Sequence, residues 1–328
     1  MAQPTGITTR YNVPNPIRED LEDIIYDISP MDTVALSRFE RMKANSTLHE
    51  WQTDALAAAV DTNAAIEGDD VSAAAASDTT RLKNYTQISR KEVVISGTSD
   101  AVRKAGMDTQ TAYQVMKRGK ELKRDIESAI LQNNAATAGT TASARVSASL
   151  ETWLYVNQHI KTDGSATTPA PVAGIAATAP TDGTATGSTF TEVMLQTALG
   201  VAWTNGGETD LILMPSFEKQ AFNAFTGIAT RFRDVQSRQQ AQVIGAADVY
   251  VSSYGSHNVM LSRYMRSGAI ENVFCLDTKI WGVAYLRPFQ SIDIAKTGDS
   301  TKKLILAEWT LVAKAPTSST KVGPVGPS

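Results

Sequence analysis

Between Trp51 and Ile88 the chain runs for nearly forty residues without the means to build a core of its own. Ala, Asp, Thr and Ser dominate it, with Ala57-Ala58-Ala59 and Ala73-Ala74-Ala75-Ala76, and only scattered larger side chains such as Leu56, Ile66, Leu82 and Tyr85. So long a segment inside a compact domain is uncommon and usually functional or linker-like. Folded back as a hairpin, each arm of about 18 residues at about 3.3 Å rise would reach roughly 60 Å. Ordering its backbone would cost on the order of 40 to 80 kcal/mol at about 1 to 2 kcal/mol per residue. Its own side chains cannot offset that, so a neighbouring molecule must.

The flanking sequence gives that excursion something to be anchored to. From Met1 to about Leu48, Pro4, Pro14, Pro16 and Pro30 interrupt regular structure, and only Ile17 to Ile28 reads as a short amphipathic helix. This resembles an arm laid over something else. The clearest helix spans about Asp108 to Asn133, where Ala112, Val115, Met116, Gly119, Leu122, Ile126, Ala129 and Ile130 recur at spacings of three and four. It would span about 40 Å. Ala135 to Ser188 is rich in Ala, Thr, Gly, Ser and Pro, apart from a helical island at Leu150 to Ile160, and Asp163 to Gly187 reads as a surface excursion. Thr189-x-x-Glu192 reads as a capping box opening a helix to about Trp203, Asp210 to Met214 as a buried strand, and Ser216 as the cap of a helix to about Phe225.

Strands then take over at Val249 to Val251, Val259 to Leu261, Val273 to Leu276 and Trp281 to Leu286. A hairpin follows, Ile292 to Ile294 and Leu304 to Val312, joined across Gly298-Asp299-Ser300, with Ile305, Ala307, Trp309 and Leu311 alternating onto one face. The class is α+β with strands concentrated late.

Charge and chemistry narrow the function by exclusion. The 328 residues carry 31 basic and 34 acidic side chains, a net charge of -3, so no basic face for gripping nucleic acid is evident. The one dense basic run, Lys117 to Arg124, is interrupted by Glu121 and followed by Asp125 and Glu127, and reads as a solvated helix face of mixed charge. Cys275 is the only cysteine, so no intrachain disulfide exists, and a buried thiol is expected there. The first residues lack the features of a signal peptide and no run is long and apolar enough to span a membrane, so a cytoplasm-like compartment is expected. His49, His159 and His257 have no metal-ligand spacing. No phosphate-binding glycine pattern or nucleophile elbow occurs, and Ala295 to Ser300 reads as a hairpin turn. Asp69-Asp70 reads as a solvated loop pair. No catalytic, cofactor-binding or metal-binding residue is assigned, and no cofactor is expected.

Several longer strings carry more. Arg18-Glu19-Asp20-Leu21, Ile28-Ser29-Pro30-Met31-Asp32-Thr33, His49-Glu50-Trp51-Gln52-Thr53-Asp54, Ile66-Glu67-Gly68-Asp69-Asp70, Arg81 to Ile88, Val94 to Thr98 and Lys120 to Glu127 resemble major capsid proteins of tailed bacteriophages. The likeness is dense from about Arg18 to Leu131 and returns over Leu286-Arg287-Pro288 and Ala295 to Ser300, while Ala135 to Gly187 departs from it.

The resemblance implies the Hong Kong 97-type capsid fold: an arm at 1–48, an extended loop at 49–88, a peripheral domain at 89–134 built on the long spine helix, an axial domain at 150–286, and a return to the peripheral sheet at 287–315. That sheet is expected to use Val93 to Ser96 with the C-terminal hairpin. The implied role is the shell subunit that assembles as hexamers and pentamers into an icosahedral head around double-stranded DNA, bound without sequence specificity. Portal, scaffolding and cement proteins are the implied partners; the arm beginning close to Met1 implies a separate scaffolding protein, or none. The implied location is the virion, after assembly in the host cytoplasm, with no membrane partner. A tail or decoration protein of a phage is the alternative, and an enzyme or cellular compartment protein a third reading.

Overall fold

The alternating run from Leu304 to Val312 becomes the strand around which one half of the molecule is organised. In the computed structural model, residues 32–68, 70, 78–102, 104, 106–155, 158–159, 168–181, 189–225, 248–266 and 271–325 are described. The helix expected at Ile17 to Ile28 and parts of the Asp163 to Gly187 excursion lie outside these residues. In chain order the first elements are α1 (Val34–Arg38), β1 (Glu40–Lys43), β2 (Leu48–Thr53), β3 (Thr80–Tyr85), β4 (Gln87–Ser96), α2 (Gly97–Ala101) and α3 (Gln110–Leu131). There follow α4 (Leu150–Trp153), β5 (Gln158–His159), α5 (Glu192–Thr204), β6 (Leu211–Met214), α6 (Ser216–Asn223), β7 (Val249–Ser252) and β8 (Gly255–Leu261). The last are β9 (Glu271–Leu276), β10 (Trp281–Ile294), β11 (Ser300–Ala313) and β12 (Thr320–Val325).

A four-stranded sheet has the order β1-β10-β11-β4, with β1 parallel to β10 and the other pairs antiparallel. Ile305, Ala307, Trp309 and Leu311 are buried together, and Leu122, Ile126 and Ile130 of α3 share their core. Each of the buried Ile and Leu side chains contributes about 1.5 to 3 kcal/mol by leaving water. The strands expected separately at Trp281 to Leu286 and Ile292 to Ile294 are one strand, β10, whose register against β11 slips between Tyr285 and Arg287 and between Arg287 and Gln290. Pro288 lies in the slipped stretch and has no N–H to give to the ladder, so a bulge there keeps the strand continuous. Ile292 pairs with Leu304 and Ile294 with Lys302, closing the expected hairpin, and Ser96 pairs with Ser300.

A six-stranded sheet has the order β5-β12-β9-β6-β8-β7. Every residue of β6 and β9 is buried. Their near-continuous apolar runs fit strands covered on both faces. Leu211, Leu213, Phe274 and Leu276 join the core shared with α3, while Ile212, Met214, Val273 and Cys275 pack with Leu195, Leu199 and Phe222 of α5 and α6.

Several expected boundaries move. The long helix runs Gln110–Leu131, and Thr109 Oγ1 accepts the Ala112 N–H at 3.4 Å. Its buried line passes through Leu122, Ile126 and Ile130, whereas Ala112 is exposed and Met116 is 66% exposed. The sheet covers a narrower arc of the helix than the full apolar stripe. The island at Leu150 shrinks to α4, because Leu154 leaves helical geometry at ψ 60. The cap of α5 is Thr191, accepting from Met194 N at 3.4 Å, and Glu192 is the first helical residue, so Thr189 and Glu192 form no capping box. Ser216 opens α6 behind Pro215 and makes no side-chain cap, and the helix stops at Asn223.

Candidate assembly surfaces

The root of the coreless segment is fixed by buried polar groups. Its strands β2 and β3 pair from Leu48–Tyr85 to Thr53–Thr80. Asn84 is fully buried and donates through Nδ2 to Leu311 O at 2.8 Å and Ser147 Oγ at 3.1 Å. Its Oδ1 accepts from Ala148 N and Tyr85 N, each at 2.9 Å. Trp51 donates Nε1–H to Ala313 O at 2.8 Å and stacks at a tilt, 5.6 Å from Trp153. A little further along, buried Glu308 accepts from Thr86 Oγ1 at 2.9 Å and pairs with Arg145 at 2.6 Å and Arg287 at 2.8 Å. Removing one partner from such a node leaves a buried charge uncompensated.

Beyond Thr53 the character changes at once. Residues 54–68 are all exposed, including Leu56 at 100%, Val60 at 64% and Ile66 at 80%. The root is held by buried polar groups while residues 54–68 are left uncovered.

The segment before β1 is held by a different device. Glu127, buried on α3, accepts from Ala35 N through Oε1 and Leu36 N through Oε2, both at 2.8 Å. Burial raises the Glu127 pKa, against the lowering effect of these backbone N–H groups. The carboxylate satisfies donors that the five-residue α1 leaves open at its start.

In the other sheet, Glu151 is buried with Lys321 and Arg266 at 3.2 Å and Asn272 at 3.1 Å, tying α4, β9 and β12 together. Glu218 is buried on α6, and desolvation, then the charge of Glu271, pushes its pKa up to about 7. Trp203, 62% exposed at the end of α5, lies 6.1 Å from the half-exposed Tyr254 ring, beside the edge strand β7.

Of the residues weighed for chemistry, His257 is buried, with Nδ1 at 2.7 Å from Thr209 O and Nε2 at 2.7 Å from Ser252 Oγ. His49 lies on β2, 5.9 Å from the Trp51 ring, and His159 on β5. Cys275 is fully buried and its thiol is pushed up to about 12 by desolvation. No cluster of three metal-ligating side chains occurs among the described residues, and none of their helices is long and apolar enough to cross a membrane. Gly298 turns the β10–β11 hairpin at φ 75, and Asp299 O accepts from Gly97 N at 3.2 Å. That is a turn anchored to the end of β4.

A sequence profile described as SU10 major capsid protein matches residues 3–324. The chain belongs to that family. A major capsid protein of Escherichia phage Phieco32 is 38% identical over 110 residues, 34% of this chain. The match spans only 31% of that relative's length. Among solved structures, a chain of the Cyanophage A-1(L) capsid asymmetric unit superposes with a TM-score of 0.69 at 12% identity, covering 98% of this chain and 100% of the other. One from Mycobacterium phage Bobi gives 0.60 at 12% identity over 97% and 99%. At such identities the likeness shows the fold, and the fold is the α+β, Hong Kong 97-type capsid fold expected from the sequence. This SU10-family chain is a major capsid protein of the phage type, and its polar nodes tie its strands and helices together.

Proposed function

We propose that many copies of this chain, as hexamers and pentamers, build the icosahedral head that encloses the double-stranded DNA of a tailed phage, in the virion and after assembly in the host cytoplasm. The observation that carries this reading is the segment 54–68, clamped at its root and uncovered along its whole described length. Apolar side chains as exposed as Leu56 and Ile66 gain cover only from another molecule, and a closed symmetric assembly supplies the same cover to every copy.

On this reading 1–48 is the arm, 49–88 the extended loop, and 89–134 with 287–315 the peripheral part, with α3 as its spine. The axial part begins at Leu150. Trp281 to Leu286 run in β10 and 320–325 in the six-stranded sheet, which favours ending the axial part before Trp281 and adding β12 to it. The chain is a container and not an enzyme. Portal, scaffolding and cement proteins are its partners, and DNA is held without sequence recognition. Negative-stain microscopy of the purified protein, alone and with phage lysate proteins, tests this: closed shells are expected, and discrete small oligomers, tubes, or binding only to preformed shells would reject it.

A further inference from the structure

The β7–β8 hairpin holds a hydroxyl against an imidazole at its tip. Ser252 and Gly255 face each other across the turn Ser253-Tyr254, and His257 lies two pairs back, opposite Tyr250. His257 Nε2 is 2.7 Å from Ser252 Oγ, and its Nδ1 is 2.7 Å from the carbonyl oxygen of Thr209, just ahead of β6. These two contacts fix where the protons sit. A carbonyl only accepts, so Nδ1 carries the ring proton and donates it to Thr209 O. Burial holds the imidazole neutral by lowering its pKa, against the raising effects of Thr209 and of the Asp210 charge. Nε2 is then a bare lone pair, and the Ser252 hydroxyl donates to it. The other acceptor within reach of that hydroxyl, Gly255 O, is further away at 3.3 Å. Tyr254 N–H donates to Oγ at 3.0 Å and holds it in place.

A hydroxyl, a neutral base in contact with it, and a third group that orients the base are the parts that activate a serine. In this hairpin a backbone carbonyl orients the base. Ser252 is part-buried, while Ser253, Tyr254, Gly255 and Ser256 around it are exposed, so an electrophile arriving from solvent meets the tip directly. The described hydrogen bonds of His257 go to Ser252 and Thr209 and not to the more exposed hydroxyls of Ser253 and Ser256.

We propose that Ser252 is a covalent modification site that takes one acyl group from an activated ester or thioester, with His257 as its general base. Ser252 Oγ attacks the carbonyl carbon of the donor. The Oγ–C bond forms, and the bond from that carbon to the alkoxide, phenolate or thiolate breaks, the leaving group taking the electron pair. The hydroxyl proton passes to His257 Nε2 and from there to the leaving group, so the imidazole ends neutral and nothing is oxidised or reduced. The acyl group then stays. Hydrolysis would need a water at Nε2, but His257 is 1% exposed and its Nε2 lies behind the esterified oxygen. Each subunit is modified once, without turnover.

The test uses the full-length soluble chain and p-nitrophenyl acetate at neutral pH. Peptide mass spectrometry should find acetyl on Ser252 about tenfold or more above Ser253 and Ser256, well within the reach of general-base assistance. Urea should erase the preference in the wild-type chain, because unfolding parts Oγ from the imidazole. H257Q, with unchanged circular dichroism, should lower acetylation of Ser252 by about tenfold or more and leave Ser253 unaltered. Once the donor is removed, the hydroxylamine-labile ester should persist on the folded chain. Equal acetylation of the three serines, or a preference that survives urea or H257Q, would make the contact a staple of the hairpin and overturn the proposal. Ester lost faster from the folded than from the unfolded chain would overturn its single use. Should H257Q misfold, the comparison of the three serines in folded and urea-treated wild type decides alone.

Discussion

Glu218 shows how one buried carboxylate gives this protein a pH response. Its pKa is raised from 4.5 to about 7 by desolvation first and by Glu271 second. For an acid with a raised folded-state pKa, the folded chain holds the proton more tightly than the unfolded one. The stabilisation is fully present below pH 4.5 and is lost as pH rises through about 7. The thermal midpoint of the subunit should therefore fall between pH 5 and pH 8, and E218Q should flatten that part of the profile. An E218Q profile parallel to wild type would assign the slope elsewhere. Glu127 behaves differently, because the N–H groups of Ala35 and Leu36 oppose its desolvation. None of this is readable from sequence. Glu127 sits in a run of charged residues like any solvated one, and nothing local announces that its partner is backbone more than ninety residues away.

At the scale of elements, α3 separates packing from display. L122A or I126A should cost about 2 to 5 kcal/mol, since both side chains are fully buried against the β11 face. M116A should stay within about 0.5 kcal/mol, although the helical pattern places it on the same stripe. Chemical denaturation of soluble subunits distinguishes them, and equal costs would mean the stripe is covered along its whole width. The coreless loop gives the complementary case. Deleting 61–79 should leave the circular dichroism and melting of the subunit intact while abolishing stable shells, and shells of unchanged thermal stability would reject the docking role.

What was legible divides along the same line. The β10–β11 hairpin was readable because alternation, a glycine turn and β-branched residues agree, and α3 because its period is long. The strand β12 was not, since Thr-Lys-Val-Gly-Pro-Val breaks alternation with Gly323 and Pro324 and draws its order from pairing with β9. The α5 start misled because Thr189 and Thr191 are both competent caps and only packing selects between them. The partners of the α3 charges were hidden because Asp125, which looked like a neighbour's neutraliser along the helix, is claimed by Lys91 from another element.

For the whole molecule, near-neutral charge suits a vessel that must be filled and emptied. Titrated against a labelled duplex at about 150 mM salt, the soluble subunit should show no saturable binding tighter than the roughly 10⁻⁴ to 10⁻⁶ M of non-specific association. Nanomolar, sequence-dependent binding would move the protein toward a genome-binding role. The path of the chain between its two sheets has a bearing on timing. After β9 it leaves the six-stranded sheet, builds the β10–β11 hairpin of the other, and comes back as β12 to lie between β5 and β9. Domains made on the ribosome ordinarily mature as they emerge, the earlier one first. Here the six-stranded sheet cannot be finished ahead of the other, because β5 has no neighbour in the sheet, and Glu151 lacks the Lys321 ammonium, until 320–325 has been made. The last strand thus serves as the clasp that joins the two sheets in one order of completion.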